Sequence, residues 1–171
     1  MSLRIVLLGS ECTGKTTLSA KLAEYFKVEF VPEYLREYFE IKNGILTIED
    51  AIPIAKGQLE KEQKLENSGN VPLLCDTDII ASIVYSKYYF GKCPEWIEKQ
   101  AQKRENIHYL LCDIDVPWVA DGQRDRPEER EYMQNLFLTE LHSRNLPFNI
   151  ISGNVQSRFE KSVTIIKKLL K

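Results

Sequence analysis

The eight residues from Gly9 to Thr16, GSECTGKT, leave this chain few ways to fold. They fit the spacing G-x-x-x-x-G-K-[ST], which works as a phosphate-binding loop only when a strand precedes it and a helix follows. Both flanks are present. Ile5, Val6, Leu7 and Leu8 form an apolar run, and Leu18, Leu22 and Phe26 recur every four residues to give a helix with one apolar stripe. Gly9 and Gly14 let the backbone curl so that successive N–H groups make a concave anion nest, with the positive end of the helix behind it. Gly9, Ser10, Glu11, Cys12, Thr13, Gly14, Lys15, Thr16 and Thr17 are therefore the expected ATP-binding set. Lys15 is expected to reach the β- and γ-phosphates, and Thr16 to place its hydroxyl on Mg²⁺.

At 171 residues the chain is one domain's worth, enough to bury a core without disulfides or metal. A single kinase-type domain over 1–171 is expected. With 23 basic and 25 acidic residues the net charge is −2, which points to neither a nucleic-acid nor a membrane partner. Cys12, Cys75, Cys93 and Cys112 form no C-x-x-C pair, so reduced thiols in a cytoplasmic protein are expected. The first strand follows Met1 too closely for a signal peptide. No apolar stretch approaches the roughly 18 residues of a membrane span. Oligomeric state leaves no signature in the composition.

Along the chain, Val28 to Val31 reads as a strand closed by Pro32, followed by Glu33, Arg36 and Tyr38. Charged residues at the carboxyl end of a strand lie where open α/β sheets bind ligands. A solvated helix start, with Glu33 favouring the positive helix end, accounts for them equally well. Thr47 and Asp50 look like a capping box, and Pro53 should kink the helix that follows. Val71 to Cys75 is an apolar strand that delivers Asp76-Thr77-Asp78, a Walker-B arrangement in which Asp76 holds magnesium; either acid would also serve to cap the next helix. Tyr85, Tyr88, Tyr89 and Phe90 read as core or interface. Pro94 opens a helix, and Tyr109 to Cys112 and Phe148 to Ile151 are the last two strands. Between those strands, Arg124, Arg126 and Arg130 resemble a lid over about 119–131 that brings guanidinium groups onto phosphates. Ion pairs with Asp125, Glu128 and Glu129 are the plainer alternative. The turn holding Asn154 lies where phosphate-loop kinases hold adenine. In the last helix Phe159, Val163, Ile166 and Leu170 should face inward.

Five strands alternating with helices give an α/β fold, a three-layer α/β/α sandwich on a parallel sheet. The blocks GSECTGKTTL, VPEYLREY, CDTD and PWVADGQRD together resemble the ribosylnicotinamide kinase domain of the NadR family, over nearly the whole chain. The resemblance implies strand order 2-3-1-4-5 and transfer of the ATP γ-phosphate to the 5′-hydroxyl of nicotinamide riboside in NAD salvage. It implies Lys15, Arg124 and Arg126 as the groups that neutralise the transferring phosphoryl, and Thr16 and Asp76 as holders of Mg²⁺. By a further resemblance to deoxynucleoside kinases, Glu33 is the expected proton acceptor, with Asp78 its competitor. Arg36, Tyr38, Gln58 and Trp118 are the expected acceptor-binding residues, Trp118 stacking on the flat pyridinium. Full-length family members carry an adenylyltransferase domain before the kinase domain. This chain begins at the kinase strand, so adenylyl transfer is not expected of it. Two other readings keep the same features: a kinase for another nucleoside or a vitamin alcohol, and a regulatory ATP-binding switch. Against a GTPase-type switch, no N-K-x-D motif occurs.

Overall fold

The computed structural model describes residues 2–119 and 127–171, with Pro127 described in its backbone only. Strand β1 (Arg4–Leu8) is buried at all five positions because it lies at the centre of a parallel sheet with both faces covered. On one side it pairs with β3 (Leu73–Asp76), on the other with β4 (Ile107–Cys112); β2 (Phe30–Val31) and β5 (Phe148–Ile151) are the edges. The order β2-β3-β1-β4-β5 is the expected one.

Alternate residues of the central strands feed two cores, as a period of two requires. Val6, Leu8, Leu73, Cys75, Tyr109 and Leu111 face the helices α3 (Ala51–Asn67), α4 (Ile79–Phe90), α5 (Glu95–Gln102) and α6 (Arg130–Ser143). Ile5, Leu7, Leu74, Leu110 and Cys112 face α1 (Lys15–Phe26) and α7 (Val155–Leu169). The remaining helix, α2 (Tyr34–Ile41), has no buried residue and packs mainly against α3.

Several element boundaries differ from the sequence expectation, each for a local reason. β2 is two residues long because Val28 N–H donates to Ala23 O at the end of α1 and Glu29 N–H to Asn70 Oδ1, which takes both amides off the ladder. β3 starts at Leu73, after Pro72, which has no N–H to donate. The Thr47–Asp50 capping box forms, but it opens a 3-10 turn over Ile48–Asp50 rather than the α-helix itself. Pro53 consequently falls in the first turn of α3, where an N–H has no intrahelical acceptor to lose, and α3 runs on through it. Pro94 stands one residue before α5 rather than inside it. In α7 Val163 and Ile166 are buried, whereas Leu170 lies past the helix end and is 41% exposed.

A charged cluster sits under α3. Glu62, buried, lies against Arg104 at 2.6 Å and Arg4 at 3.5 Å, and Arg104 also reaches Asp78 at 3.4 Å. Burial pushes the Glu62 carboxyl up to about 7, against the pull of Arg104 and Arg4. Between its ordinary value of 4.5 and about 7, the folded chain holds a proton that the unfolded chain has released. Stability therefore declines as pH rises through that window. Glu62→Gln should flatten the decline, which urea midpoints measured across the window will report.

Candidate functional site

The loop between β1 and α1 is shaped by contacts that leave no room for other residues at its start. Gly9 has φ 137°, and a Cβ there would come 2.7 Å from Cys112 O on β4. Gly14 has φ 80° and forms the left-handed entry to α1. Within the loop Thr13 Oγ1 donates to Ser10 O at 2.9 Å. Two residues from distant helices brace it. Gln134 on α6 accepts from Ser10 N–H at 3.0 Å and donates to Cys112 O at 2.9 Å, joining the loop to the end of β4. Arg158 on α7, 4% exposed, donates to Thr13 O and Gly153 O, both at 2.7 Å, to Asp113 O at 3.0 Å, and to Asp115. Asp115 in turn accepts from Gly153 N–H at 2.6 Å. Burial tends to raise the Asp115 carboxyl, but the bonds from Gly153 and Arg158 bring it below its ordinary value.

Lys15 Nζ donates to Gly9 O at 3.0 Å and Ser10 O at 2.9 Å, so the ammonium lies over the mouth of the loop. Next to it, Thr16 Oγ1 donates to Asp76 Oδ2 at 2.5 Å. Asp76 is buried, and among the described residues its Oδ1 has no hydrogen-bond partner. Burial raises the Asp76 carboxyl above its usual range, while the Lys15 charge and the Thr16 hydroxyl pull it back. An orphaned buried carboxylate oxygen beside a hydroxyl is a hard-oxygen pair suited to Mg²⁺, which takes one or two protein oxygens and completes its shell with water and phosphate. Among the described residues no group of three or more His, Cys, Asp or Glu side chains could hold a metal ion. Two protein oxygens are what a phosphate-bridged magnesium needs.

A cavity of about 550 Å³ runs from the phosphate loop, residues 11–17, toward α2, α3 and α4. Beyond the loop its lining includes Leu35, Phe39, Leu46 and Ile54, then Tyr85, Tyr89 and Phe90 of α4, with Glu33, Arg36 and Gln58 as polar groups. Tyr85 and Tyr89 sit one helical turn apart, which puts both rings on one face. Of the aromatic run expected as core or interface, with one tyrosine facing a pocket as the alternative, Tyr85 and Tyr88 pack against the core, while Tyr85, Tyr89 and Phe90 border the cavity.

The structure brings only some of the expected acceptor residues to this cavity. Glu33 stands at the N-terminal end of α2 and pairs with Arg36 at 4.0 Å. Asp78 borders the cavity, but it caps α4 by accepting from Ile80 N–H at 2.9 Å, and its other oxygen accepts from Tyr109 O–H at 2.9 Å and faces Arg104. Gln58 uses both polar ends on backbone: Oε1 accepts from Tyr34 N–H at 2.9 Å and Nε2 donates to Thr77 O at 3.3 Å. Tyr38 turns away and donates to Asp50 Oδ1 at 2.9 Å. Trp118 borders a separate niche of about 20 Å³ with Glu11, Tyr88, Tyr89 and Arg130. Asn154 caps α7 through Ser157 N–H at 2.9 Å and does not border the cavity. Arg124 and Arg126, with most of the expected lid, lie outside the described residues. Arg130 is described and donates to Cys12 O at 3.3 Å. Sequence reasoning missed Gln134, Arg158 and Asp115, which act through backbone contacts that no local pattern announces.

Comparison with known proteins agrees with this arrangement. A family model described as an AAA domain matches residues 4–158. The trifunctional NAD biosynthesis/regulator proteins NadR of Salmonella typhimurium and Escherichia coli are each 28% identical over 97% of this chain, which spans 42% of their length. Among solved structures, a NadR protein in complex with NR superposes with a TM-score of 0.81 at 24% identity, covering 98% of this chain and 49% of that one. Thymidylate kinase from Ehrlichia chaffeensis gives 0.72 at 17% identity, covering 96% and 98%. These likenesses establish the nucleotide-kinase fold. Among the described residues no helix is long and apolar enough to cross a membrane.

Proposed function

The chain belongs to the AAA-domain family, and from that premise we propose that it is an ATP-dependent kinase acting on the 5′-hydroxyl of a nucleoside, with nicotinamide riboside as the acceptor. The observation that carries this reading is a single cavity with two unlike ends. One end is the phosphate loop with Lys15 and Thr16, and Thr16 is bonded to the buried Asp76 behind it. The other is an apolar, aromatic-walled recess with the Glu33–Arg36 pair at its edge, room for a second molecule beside ATP. Similarity to NadR, in one case solved with NR, supports the choice of acceptor. We take residues 1–171 as one catalytic unit.

On this reading the loop amides and Lys15 hold the β- and γ-phosphates, and Thr16 and Asp76 hold Mg²⁺, which supplies charge neutralisation on the transferring phosphoryl. Glu33 accepts the proton of the attacking hydroxyl. It is preferred to Asp78 because both Asp78 oxygens are already engaged by Ile80, Tyr109 and Arg104. From the sequence pattern, Arg124 and Arg126 close over the γ-phosphate. Arg130, which already touches the loop at Cys12, completes that set.

The test is ADP release on a nucleoside panel, with and without each acceptor. Acceptor-stimulated release with nicotinamide riboside is expected; the same slow release with every nucleoside would end the kinase reading. Glu33→Gln keeps the shape of the side chain but cannot take the proton. It should lower kcat by about a hundredfold while ATP affinity stays close to normal. If Glu33→Gln keeps its rate, the proton goes elsewhere.

A further inference from the structure

Helix α2 contributes Glu33 at its start and Arg36 to the cavity, yet it buries no side chain of its own. Its position is set by α3, through two adjacent residues. Gly57 lies in the interior of α3, where glycine weakens a helix relative to alanine. Its backbone is not left-handed, so conformation does not demand a glycine there. Space does: a Cβ on Gly57 would stand closer than 3.0 Å to Cδ1, Cε1 and Cζ of Tyr34. The Tyr34 ring lies flat in the notch that glycine leaves, and Lys61, one turn further along α3, covers it with its ammonium 5.1 Å from the ring centre. The backbone that carries the ring is fixed from α3 as well. Tyr34 N–H is held by Gln58 Oε1, and the other end of Gln58 is on Thr77 O.

The two backbone points that Gln58 joins flank the site. Tyr34 follows Glu33, and Thr77 follows Asp76. Thr77 has φ 72°, a left-handed conformation unfavourable for a β-branched residue, and the Gln58 bond and the Thr77 N–H bond to Leu7 O hold it there. We propose that Gly57 is a positioning residue: the notch it leaves seats Tyr34 and, together with the Gln58 bridge, sets how far Glu33 stands from Asp76 and the phosphate loop. The idea rests on the kinase reading for its catalytic consequence, but the seating of α2 can be tested without it. Since α1 makes none of these contacts and β1 enters them through Leu7 O alone, at Thr77 and away from the Tyr34 ring, a disturbance at Gly57 should reach the acceptor end of the cavity and spare the ATP end.

The decisive experiment is a double-variant cycle on the full chain with Gly57→Ala and Tyr34→Ala. Gly57→Ala should reduce kcat/KM for the nucleoside at least about tenfold, because misplacement of a catalytic group by about 1 Å is enough to do so. The KM for ATP and the acceptor-independent release of ADP should stay at the starting level. In the Tyr34→Ala background, Gly57→Ala should have no further effect, since there is then no ring to displace. Hydrogen exchange gives a second readout that needs no activity: amides of residues 35–41 should exchange faster in Gly57→Ala, those of 4–8 should not, and the difference should vanish in the Tyr34→Ala background. Unchanged exchange in α2, or an effect of Gly57→Ala that persists without the Tyr34 ring, overturns the proposal. If Gly57→Ala does not fold, the double variant must fold as well as Tyr34→Ala alone, and its failure to do so also overturns it. A chain that phosphorylates no nucleoside while showing the exchange pattern would refute the kinase reading and leave the notch standing.

Discussion

Lys15→Ala should lower phosphoryl transfer by at least about a hundredfold while leaving the melting temperature close to that of the parent protein. Lys15 begins α1 and among the described residues its ammonium bonds to Gly9 O and Ser10 O, so none of the core residues of α1 depends on it. What disappears is a positive charge at the place where negative charge grows during transfer. A second effect follows from its neighbour. The Lys15 charge draws the Asp76 carboxyl down, against burial, and without it that carboxyl titrates higher. The acid limb of the residual rate should therefore move to higher pH, since Asp76 must be ionised to hold the cation. Turnover measured across pH, with a parallel melting curve, checks both parts. Near-normal turnover would remove the phosphate loop from the chemistry.

Asp76→Asn is expected to separate activity from stability in opposite directions. The rate should fall by a hundredfold or so through loss of a magnesium-holding carboxylate, and raised magnesium should restore part of it, because Thr16 and the phosphates remain as ligands. The fold, by contrast, should gain. Asp76 is buried with one oxygen unsatisfied, and its carboxyl is raised. A raised acid stabilises the fold when protonated and loses that contribution as pH climbs above its ordinary value of 3.8. At neutral pH the ionised group is a liability that the amide does not share, and Thr16 can still donate to the amide oxygen. The melting temperature of Asp76→Asn without nucleotide should exceed that of the parent at neutral pH and approach it in acid. A lower melting temperature at neutral pH would mean that Asp76 is structural.

The sheet was legible because each central strand carries an apolar run, residues 5–8, 73–75 and 109–112, and the loop because glycine spacing, lysine and hydroxyl each have one geometric job. The acceptor end was much less so. Tyr38 and Trp118 have the right chemistry to bind a ring, but Tyr38 is claimed by Asp50 and Trp118 by its own niche, and nothing local to either residue says so. Tyr85, Tyr89 and Phe90 carry the same aromatic signal whether they face a core or a cavity; which one they face depends on how α2 and α4 stand apart. Gln58, expected to bind the acceptor, has its amide engaged by Tyr34 and Thr77 instead. Gly57 gives no sign at all, since its meaning is the shape of a partner twenty-odd residues earlier in the chain.

The stretch between Val119 and Pro127 is fastened to the phosphate loop at both of its margins. Before it, Val119 N–H meets Cys12 Sγ at 3.0 Å; after it, Arg130 holds Cys12 O and Gln134 holds Ser10 N–H. Because each margin is anchored on its own, loss of one contact, at Val119 or at Arg130, leaves the other still holding the phosphate loop.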